Sequence, residues 1–392
     1  MKNISKTVWV LSFVSLFTDM ASEMLYPIMP IFLKSIGFSA LLIGILEGIA
    51  EATAGLSKGY FGKLSDEYGR RKPFVQLGYA LSGLAKPLFA IAVTPLWIFF
   101  VRTLDKLGKG IRTGARDAIL SDEATPETKG TVFGLHRSMD TAGAVLGPSI
   151  ALVYLYFYPE DYKTLFLLAF LPGVLALLTT TFIKEKQLPT KTAKRIPFFS
   201  FLSFWKSAPA SYRKLIVGLL GFALVNSSDV FLLLKAKEAG LSDTGVIGVY
   251  IFYNLIYALF ALPLGMLADK LGLKNIALSG IMLFAVVYGC LTFATDIPIF
   301  LVLFFFYGVY AAATEGVFKA WITNQVDKRD TATAIGTYAA FQSICAMLAS
   351  FITGLLWYKF GSNYALWFIA FSSIMVVIYL ALATKNTIKN PG

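Results

Sequence analysis

Histidine is almost missing from this 392-residue chain, which has only His136, and cysteine is hardly commoner, with Cys290 and Cys345. One imidazole and two thiols within apolar stretches provide neither a disulfide framework nor a Cys-rich metal site, and they argue against a zinc enzyme. Charge is scarce too, at 15% of residues, and it leans basic: 35 Lys and Arg against 23 Asp and Glu, a net charge of +12. A nucleotide loop is also lacking. Gly108-Lys109-Gly110-Ile111-Arg112-Thr113-Gly114 has no strand before it and no Gly-Lys-Ser/Thr ending, so it cannot cradle phosphates. No ATP site is evident. The chain is therefore expected to be no enzyme, to carry no cofactor and no metal, and to draw on a gradient for energy.

Apolar residues are what the chain has in excess: 57% of residues are hydrophobic and 15% aromatic, and the mean hydropathy is +0.68. Apolar runs of roughly 18–25 residues recur, the length that crosses a bilayer core of about 30 Å. In lipid each backbone group must bond within its own segment, so the runs are expected to be helices. About twelve are expected, near 7–33, 40–61, 73–93, 96–118, 131–157, 163–182, 215–234, 244–266, 275–295, 298–322, 332–357 and 363–384. Lys2 and Lys6 precede the first run as in a secretory signal, yet Asp19 and Glu23 interrupt it, so it reads as a retained helix.

Basic residues crowd alternate loops: Arg70, Arg71 and Lys72; Arg116 and Lys129; Lys184, Lys186, Lys191, Lys194 and Arg195; Lys270 and Lys274; Lys328 and Arg329; Lys385 and Lys389. The intervening loops at 93–95 and 295–298 have none. This asymmetry places both termini in the cytoplasm. It also explains the net charge through topology and leaves no basic face for nucleic acid. The most polar stretch, at 183–214, divides the runs six and six. The expected organisation is an N-terminal six-helix bundle over 1–184, a cytoplasmic linker over 185–213 and a C-terminal six-helix bundle over 214–392. Within the linker, the aromatic run at 198–205 is read as a short interfacial helix or a plain tether.

The halves repeat each other. Gly62, Asp66 and Gly69 recur as Gly265, Asp269 and Gly272, each 203 positions later (265 − 62 = 203). Thr113-Gly114 aligns with Glu315-Gly316 and Gly134 with Gly336, both at an offset of 202. Ser22-Glu23 in the first segment resembles Ser228-Asp229 in the seventh. Two halves in the same orientation are a parallel repeat.

On these residues the chain is identified as a member of the major facilitator superfamily over essentially its full length. The Gly62–Lys72 turn resembles that family's loop 2–3 signature, and the Gly265–Lys274 turn its weaker loop 8–9 copy. Gly143, Gly147 and Pro148 resemble the Gly-x-x-x-Gly-Pro signature of its proton-driven antiporters. One position departs: where the family's helix 4 signature has an arginine four residues before a Gly-x-Gly pair, this chain has Leu104, and Arg102 is the nearest arginine upstream. The resemblance implies an all-α membrane protein with twelve transmembrane helices in two pseudo-symmetric six-helix bundles, working by alternating access. It further implies that helices 3, 6, 9 and 12 support the bundle while the others line the cavity. In keeping with that, helices 6, 9 and 12 carry no internal charge, and helix 3 carries only Lys86.

Ionisable groups inside a bilayer are costly and mark functional positions. Arg102, Asp105, Lys109, Arg112 and Arg116 are spaced 3, 4, 3 and 4 apart and form one helical stripe. Asp19 and Glu23, and Glu47 and Glu51, are i, i+4 pairs that can face it. Two expectations compete for this group. Either the cations attract an anionic substrate while Asp19, Glu23, Glu47 and Glu51 carry the coupling proton, or the charges neutralise one another and lock helices together. The substrate-contact set is taken as Tyr26, Arg102, Asp105, Lys109, Arg112, Asp229 and Glu315. Glu315 and Lys319 are expected to satisfy each other, Arg137 to pair with Asp140 or with helix 4, and Asp229 to lack a local partner. Gly62, Asp66, Gly69, Arg70 and Asp269 are read as a conformational latch, with a plain tight turn as the alternative. Gly143, Gly147 and Pro148 are read as a helix-packing motif. Met20, Met24 and Met29 suggest Cu(I) only weakly, and apolar packing accounts for them better.

The function expected is secondary active transport of a small organic solute, an organic anion, driven by protons. A siderophore or other metal complex would be a subset of that class. The alternative is proton-driven export of lipophilic cations. The partners expected are the substrate and the lipid bilayer, with no nucleic acid, in a monomer located in a bacterial inner membrane.

Overall fold

The structure is a computed structural model that describes every residue except 1–3, 27, 92–93, 186–196, 242, 295 and 385–392. The basic residues Lys2, Lys186, Lys191, Lys194, Arg195, Lys385 and Lys389, and part of the two bare loops, lie outside the described residues.

Among the described residues fifteen α-helices follow one another: α1 (Lys6–Glu23), α2 (Met29–Ser35), α3 (Ala40–Tyr68), α4 (Lys72–Leu88), α5 (Pro95–Asp122), α6 (Lys129–Phe157), α7 (Tyr162–Thr180), α8 (Phe204–Ser207), α9 (Ala210–Ala223), α10 (Val230–Glu238), α11 (Asp243–Leu271), α12 (Leu273–Leu291), α13 (Ile297–Thr323), α14 (Thr331–Phe360) and α15 (Ser362–Ala383). Among the described residues there is no strand. Among the described residues seven helices are individually long and apolar enough to cross a membrane: α6, α7 and α11 to α15. The rest have identifiable reasons. Four are short pieces, α4 spans only 17 residues, and α1, α3 and α5 carry charges along their length.

The first and seventh expected spans are interrupted, which the apolar pattern did not reveal. Each is two helices in place of one: α1 ends at Glu23 and α2 begins at Met29, and α9 ends at Ala223 and α10 begins at Val230. Joining each pair and leaving out the four-residue α8 yields twelve membrane-length segments. The second break has a local cause. Asn226, Ser227 and Ser228 offer side-chain bonds that compete with the helical ladder. The first break is packed: Met24 and Leu25 are 2% and 3% exposed, in a core with Met29, Phe32, Phe89 and Phe166. Two of the three helix 1 methionines are thus apolar filling.

The chain forms two compact units. The first comprises residues 1–123, 139–207 and 327–340. There α5 packs between α3 and α4, and α7 covers α1 and α4. The second comprises residues 124–138, 208–326 and 341–392, with α13 between α11 and α12 and α15 on α12 and α9. The opening turns of α6 therefore belong to the second unit, and those of α14 to the first.

The aromatic run after the undescribed linker segment forms a 3-10 turn at Phe198–Ser203 that continues into α8. It is docked on α3. Phe201 is 1% exposed, with its ring against Gly59, and Lys63 donates to the Ser200 carbonyl at 2.9 Å. Phe198, Phe199 and Leu202 point outward.

Candidate functional site

In the first unit α5 carries the expected charged stripe, and α3 and α4 supply its partners. Arg102 makes two bonds to Glu47, 2.9 and 2.8 Å, and approaches Asp105 at 3.7 Å. Asp105 also accepts from the Lys86 ammonium at 3.0 Å, so helix 3's lone internal charge is matched. Lys106, outside the expected set, pairs with Glu51. Arg116 bonds Asp117 at 2.8 and 2.9 Å. The Arg102–Glu47 fork holds α5 and α3 in register and leaves few donors for a ligand.

Two cations of the stripe stand apart. Arg112 is 5% exposed, donates to Ser82 Oγ at 2.5 Å and lies over the Tyr79 ring at 4.5 Å, with no carboxylate in ion-pair range among the described residues. Lys109 is exposed, although Gly108 and Gly110 beside it are buried, and it makes no ion pair among the described residues. Its charge acts on Glu51 and Lys106.

On α1, Asp19 and Glu23 are half-buried against α6. An added Cβ at Gly143 would meet the Met20 nitrogen at 2.8 Å and Asp19 Cβ at 3.0 Å; at Gly147 it would meet the Met20 oxygen at 2.6 Å. The glycines thus let α6 and α1 pack backbone to backbone, and Pro148 lies within α6 one residue beyond. Tyr26 is 51% exposed in the step after α1. Asp140 accepts from the Ser15 hydroxyl, while Arg137 reaches Glu315 at 3.0 Å and the Tyr257 hydroxyl. Glu315, expected to pair with Lys319, takes Arg137 as its ion-pair partner.

The second unit places Asp229 at the start of α10. Its carboxylate accepts from the hydroxyls of Tyr253 on α11 and Tyr307 on α13, the latter at 2.6 Å. Asp229, expected to lack a local partner, takes its donors from 24 and 78 positions along the chain, and both are neutral phenols that a search for charges passes over. Tyr253 and Tyr307 pack edge to face at 5.3 Å, with Phe304, Phe284, Tyr288 and Tyr310 around them.

The duplicated turns form matching caps. Gly69 and Gly272 have φ of 64° and 94°, where a side chain would be strained. Asp66 Oδ2 accepts from the Thr333 N–H at 2.7 Å and its hydroxyl at 2.9 Å. Asp269 accepts from the Gly130 and Thr131 N–H groups, both at 2.7 Å, and from the Thr131 hydroxyl at 2.6 Å. Both aspartates thus sit at the opening turn of a helix, where free N–H groups and the helix dipole favour a negative charge. Gly62 lies against the Ala332 carbonyl, and Gly265 against that of Gly130. The basic residue of the first cap is Arg71, not Arg70. Arg71 is 3% exposed and bonds Asp66 at 3.0 Å, Asp122, and the Lys328 carbonyl at 2.8 Å, while Arg70 is exposed. The second cap has no equivalent cation among the bonds described.

Among known proteins, an MFS-type transporter of Methanocaldococcus jannaschii is 33% identical over 362 residues, covering 91% of this chain and 89% of the relative. A multidrug resistance efflux pump of Streptococcus pneumoniae is 28% identical over 47% of each chain, and a staphyloferrin B transporter of Staphylococcus aureus is 34% identical over 38% of this chain and 37% of that one. Among solved structures, the Escherichia coli fucose:proton symporter superposes with a TM-score of 0.81 at 10% identity, covering 98% of this chain and 100% of that one, which shows the shared fold. The sequence matches the Major Facilitator Superfamily over residues 11–253 and 231–391, and the chain belongs to that family of integral membrane transporters.

Proposed function

We propose that the chain is a proton-coupled secondary transporter of a small organic anion, working by alternating access as a monomer in a bacterial inner membrane, with both termini cytoplasmic. It uses no cofactor, and the proton gradient drives it. The observation that carries the anion reading is the pair of cations without carboxylate partners on α5: exposed Lys109, and Arg112 bonded only to Ser82 and the Tyr79 ring. An unpaired cation at membrane depth is costly, so an anionic ligand there has a large electrostatic benefit. Arg102 and Asp105, taken at first as substrate contacts, fit better as a structural lock with Glu47 and Lys86. Asp19 and Glu23 remain the proton-carrier candidates on α1. Glu47 and Glu51 are committed to Arg102 and Lys106. The two aspartate caps serve as the conformational latch: the bonds of Asp66 and Asp269 hold the opening turns of α14 and α6 until transport breaks them. The staphyloferrin B transporter among the relatives supports a siderophore as one member of that substrate class.

A second reading is export of lipophilic cations. The observation favouring it is Asp229, an acid among tyrosine and phenylalanine rings, and the multidrug efflux pump is its relative. One experiment separates the two. The purified protein is melted with citrate and with tetraphenylphosphonium. A ligand at about 100 times its Kd stabilises a folded state by roughly 2.7 kcal/mol. Stabilisation by citrate-like carboxylates, lost in Lys109→Gln and Arg112→Gln, supports the anion reading. Stabilisation by the phosphonium alone, lost in Asp229→Asn, replaces it with cation export.

A further inference from the structure

Several acids on the helices of this chain have a cation beside them. Glu47, Glu51, Asp66, Asp105, Asp117 and Glu315 each face a lysine or arginine within ion-pair distance. Asp229 does not. Its oxygens accept from two phenol hydroxyls, and it makes no ion pair among the described residues. The groups that face it come from three helices. They are Tyr253 on α11, Tyr288 on α12, and Tyr307, Tyr310 and Glu315 on α13. The one formal charge among them has the same sign as its own, and that charge is already held by Arg137.

Position makes this unpaired acid consequential. Asp229 is the residue at the break between α9 and α10, and its side chain does not cap α10. It instead ties the first turn of α10 to α11 and α13 through the two tyrosines. A carboxylate with neutral donors and no counter-ion can be neutralised by taking up a proton from the aqueous phase without breaking an ion pair. Once neutral, it keeps only ordinary hydrogen bonds to the phenols, which are roughly half as strong as charge-assisted ones. α10 is then held less firmly at its N-terminus.

We propose that Asp229 is a proton-binding site of the second unit, and that its protonation loosens the junction between α9 and α10. The proposal rests on the proton-coupled part of the function proposed above, and it adds a carrier outside α1 and α3. It does not depend on the sign of the substrate's charge. The step balances simply: one proton leaves water, one carboxylate becomes a carboxyl, and the same proton returns on release.

The test is infrared difference spectroscopy of the purified full-length protein in lipid, titrated from mildly acidic to mildly alkaline pH with no substrate present. The carbonyl stretch of a protonated carboxyl reports the site directly. The expected result is a pH-dependent carboxyl band that disappears in Asp229→Asn and shifts in frequency in Tyr253→Phe and Tyr307→Phe. The tyrosine variants keep the ring packing, so they decide the matter even if Asp229→Asn folds poorly. A wild-type difference spectrum that Asp229→Asn leaves unchanged, or that neither tyrosine variant alters, overturns the proposal. Uptake in vesicles separates this from the wider reading: transport indifferent to an imposed pH gradient, with the band intact, defeats proton coupling and leaves the proton site standing.

Discussion

Asp66 accepts the backbone N–H of Thr333 at 2.7 Å, so a residue at the end of α3 caps a helix that begins 265 positions later (331 − 66). Asp269 does the same at the end of α11 for α6, through Gly130 and Thr131. A duplicated turn has produced a duplicated cap. The copies differ in one respect: Asp66 also holds buried Arg71, whereas Asp269 bonds only N–H groups and a hydroxyl.

That difference predicts unequal costs for equivalent substitutions. Asp269→Ala removes a cap and should cost about 1–2 kcal/mol. Asp66→Ala also takes one carboxylate from a buried guanidinium, a loss of roughly 3–5 kcal/mol. Thermal unfolding of the two variants should place Asp66→Ala clearly below Asp269→Ala. Equal melting temperatures would mean that Asp122 and the Lys328 carbonyl satisfy Arg71 without Asp66.

The charged face of α5 should split into locking and ligand-facing groups. Arg102→Gln leaves Glu47 half-buried without its fork partner, and Asp105 with Lys86 alone. A substantial loss of stability follows, on the order of 3 kcal/mol, part of which Glu47→Gln should restore in the double variant. Lys109→Gln, on an exposed residue outside any ion pair, should change stability by less than about 0.5 kcal/mol. Its effect should appear in uptake of organic anions instead. A double-mutant cycle on melting temperature, run beside a vesicle uptake assay, checks both halves. Strong destabilisation by Lys109→Gln would give that lysine a structural role.

The repeat and the caps were legible in the sequence because Gly-x-x-x-Asp-x-x-Gly is a local pattern with its own backbone requirement, met at Gly69 and Gly272. The charged stripe was legible for the same reason, since helical spacing alone puts Arg102, Asp105 and Arg112 on one face. Pairings were not. Arg137 meets Glu315 across 178 positions, and nothing in either neighbourhood encodes the rotation that turns them together. The choice of Arg71 over Arg70 turns on a single step of backbone at the mouth of α4. Asp229 was found, but its tyrosine donors were hidden because Tyr253 and Tyr307 lie in apolar stretches of α11 and α13, where a phenol reads as packing. The two helix breaks escaped for a related reason: short polar side chains at 226–228 do little to mean hydropathy while they redirect backbone bonds.

The linker should be released by a single truncation. Phe201 is fully covered on α3 with its ring against Gly59, and Lys63 holds the adjoining carbonyl. Phe201→Ala removes about 3–5 kcal/mol of packing from a segment also tied to α3 by Lys63 and by Phe198 against Tyr60. The expected result is faster proteolytic cleavage near residues 198–207, with the helices themselves still folded by circular dichroism. Unchanged cleavage would show that Lys63 and the outward rings suffice to hold the segment.

The glycines of α6 provide the last prediction, because their reading as packing residues depends on distances and not on motif. Alanine at Gly147 would set a methyl 2.6 Å from the Met20 carbonyl oxygen and 2.7 Å from the Met24 nitrogen. Backbone cannot yield as a flexible side chain does, so α6 must shift away from α1, at a typical overpacking cost of about 1–3 kcal/mol. Gly143→Ala faces Leu16 and Met20 in the same way. Gly48 on α3 is the control: nothing lies within 4 Å of its would-be Cβ, so Gly48→Ala should be neutral or stabilise by about 0.5–1 kcal/mol through helix propensity. Melting curves of the three variants decide it. If Gly147→Ala melts with the wild type, α1 and α6 are not fixed at this separation, and Asp19 and Glu23 on α1 are free to move relative to α6 as their protonation changes.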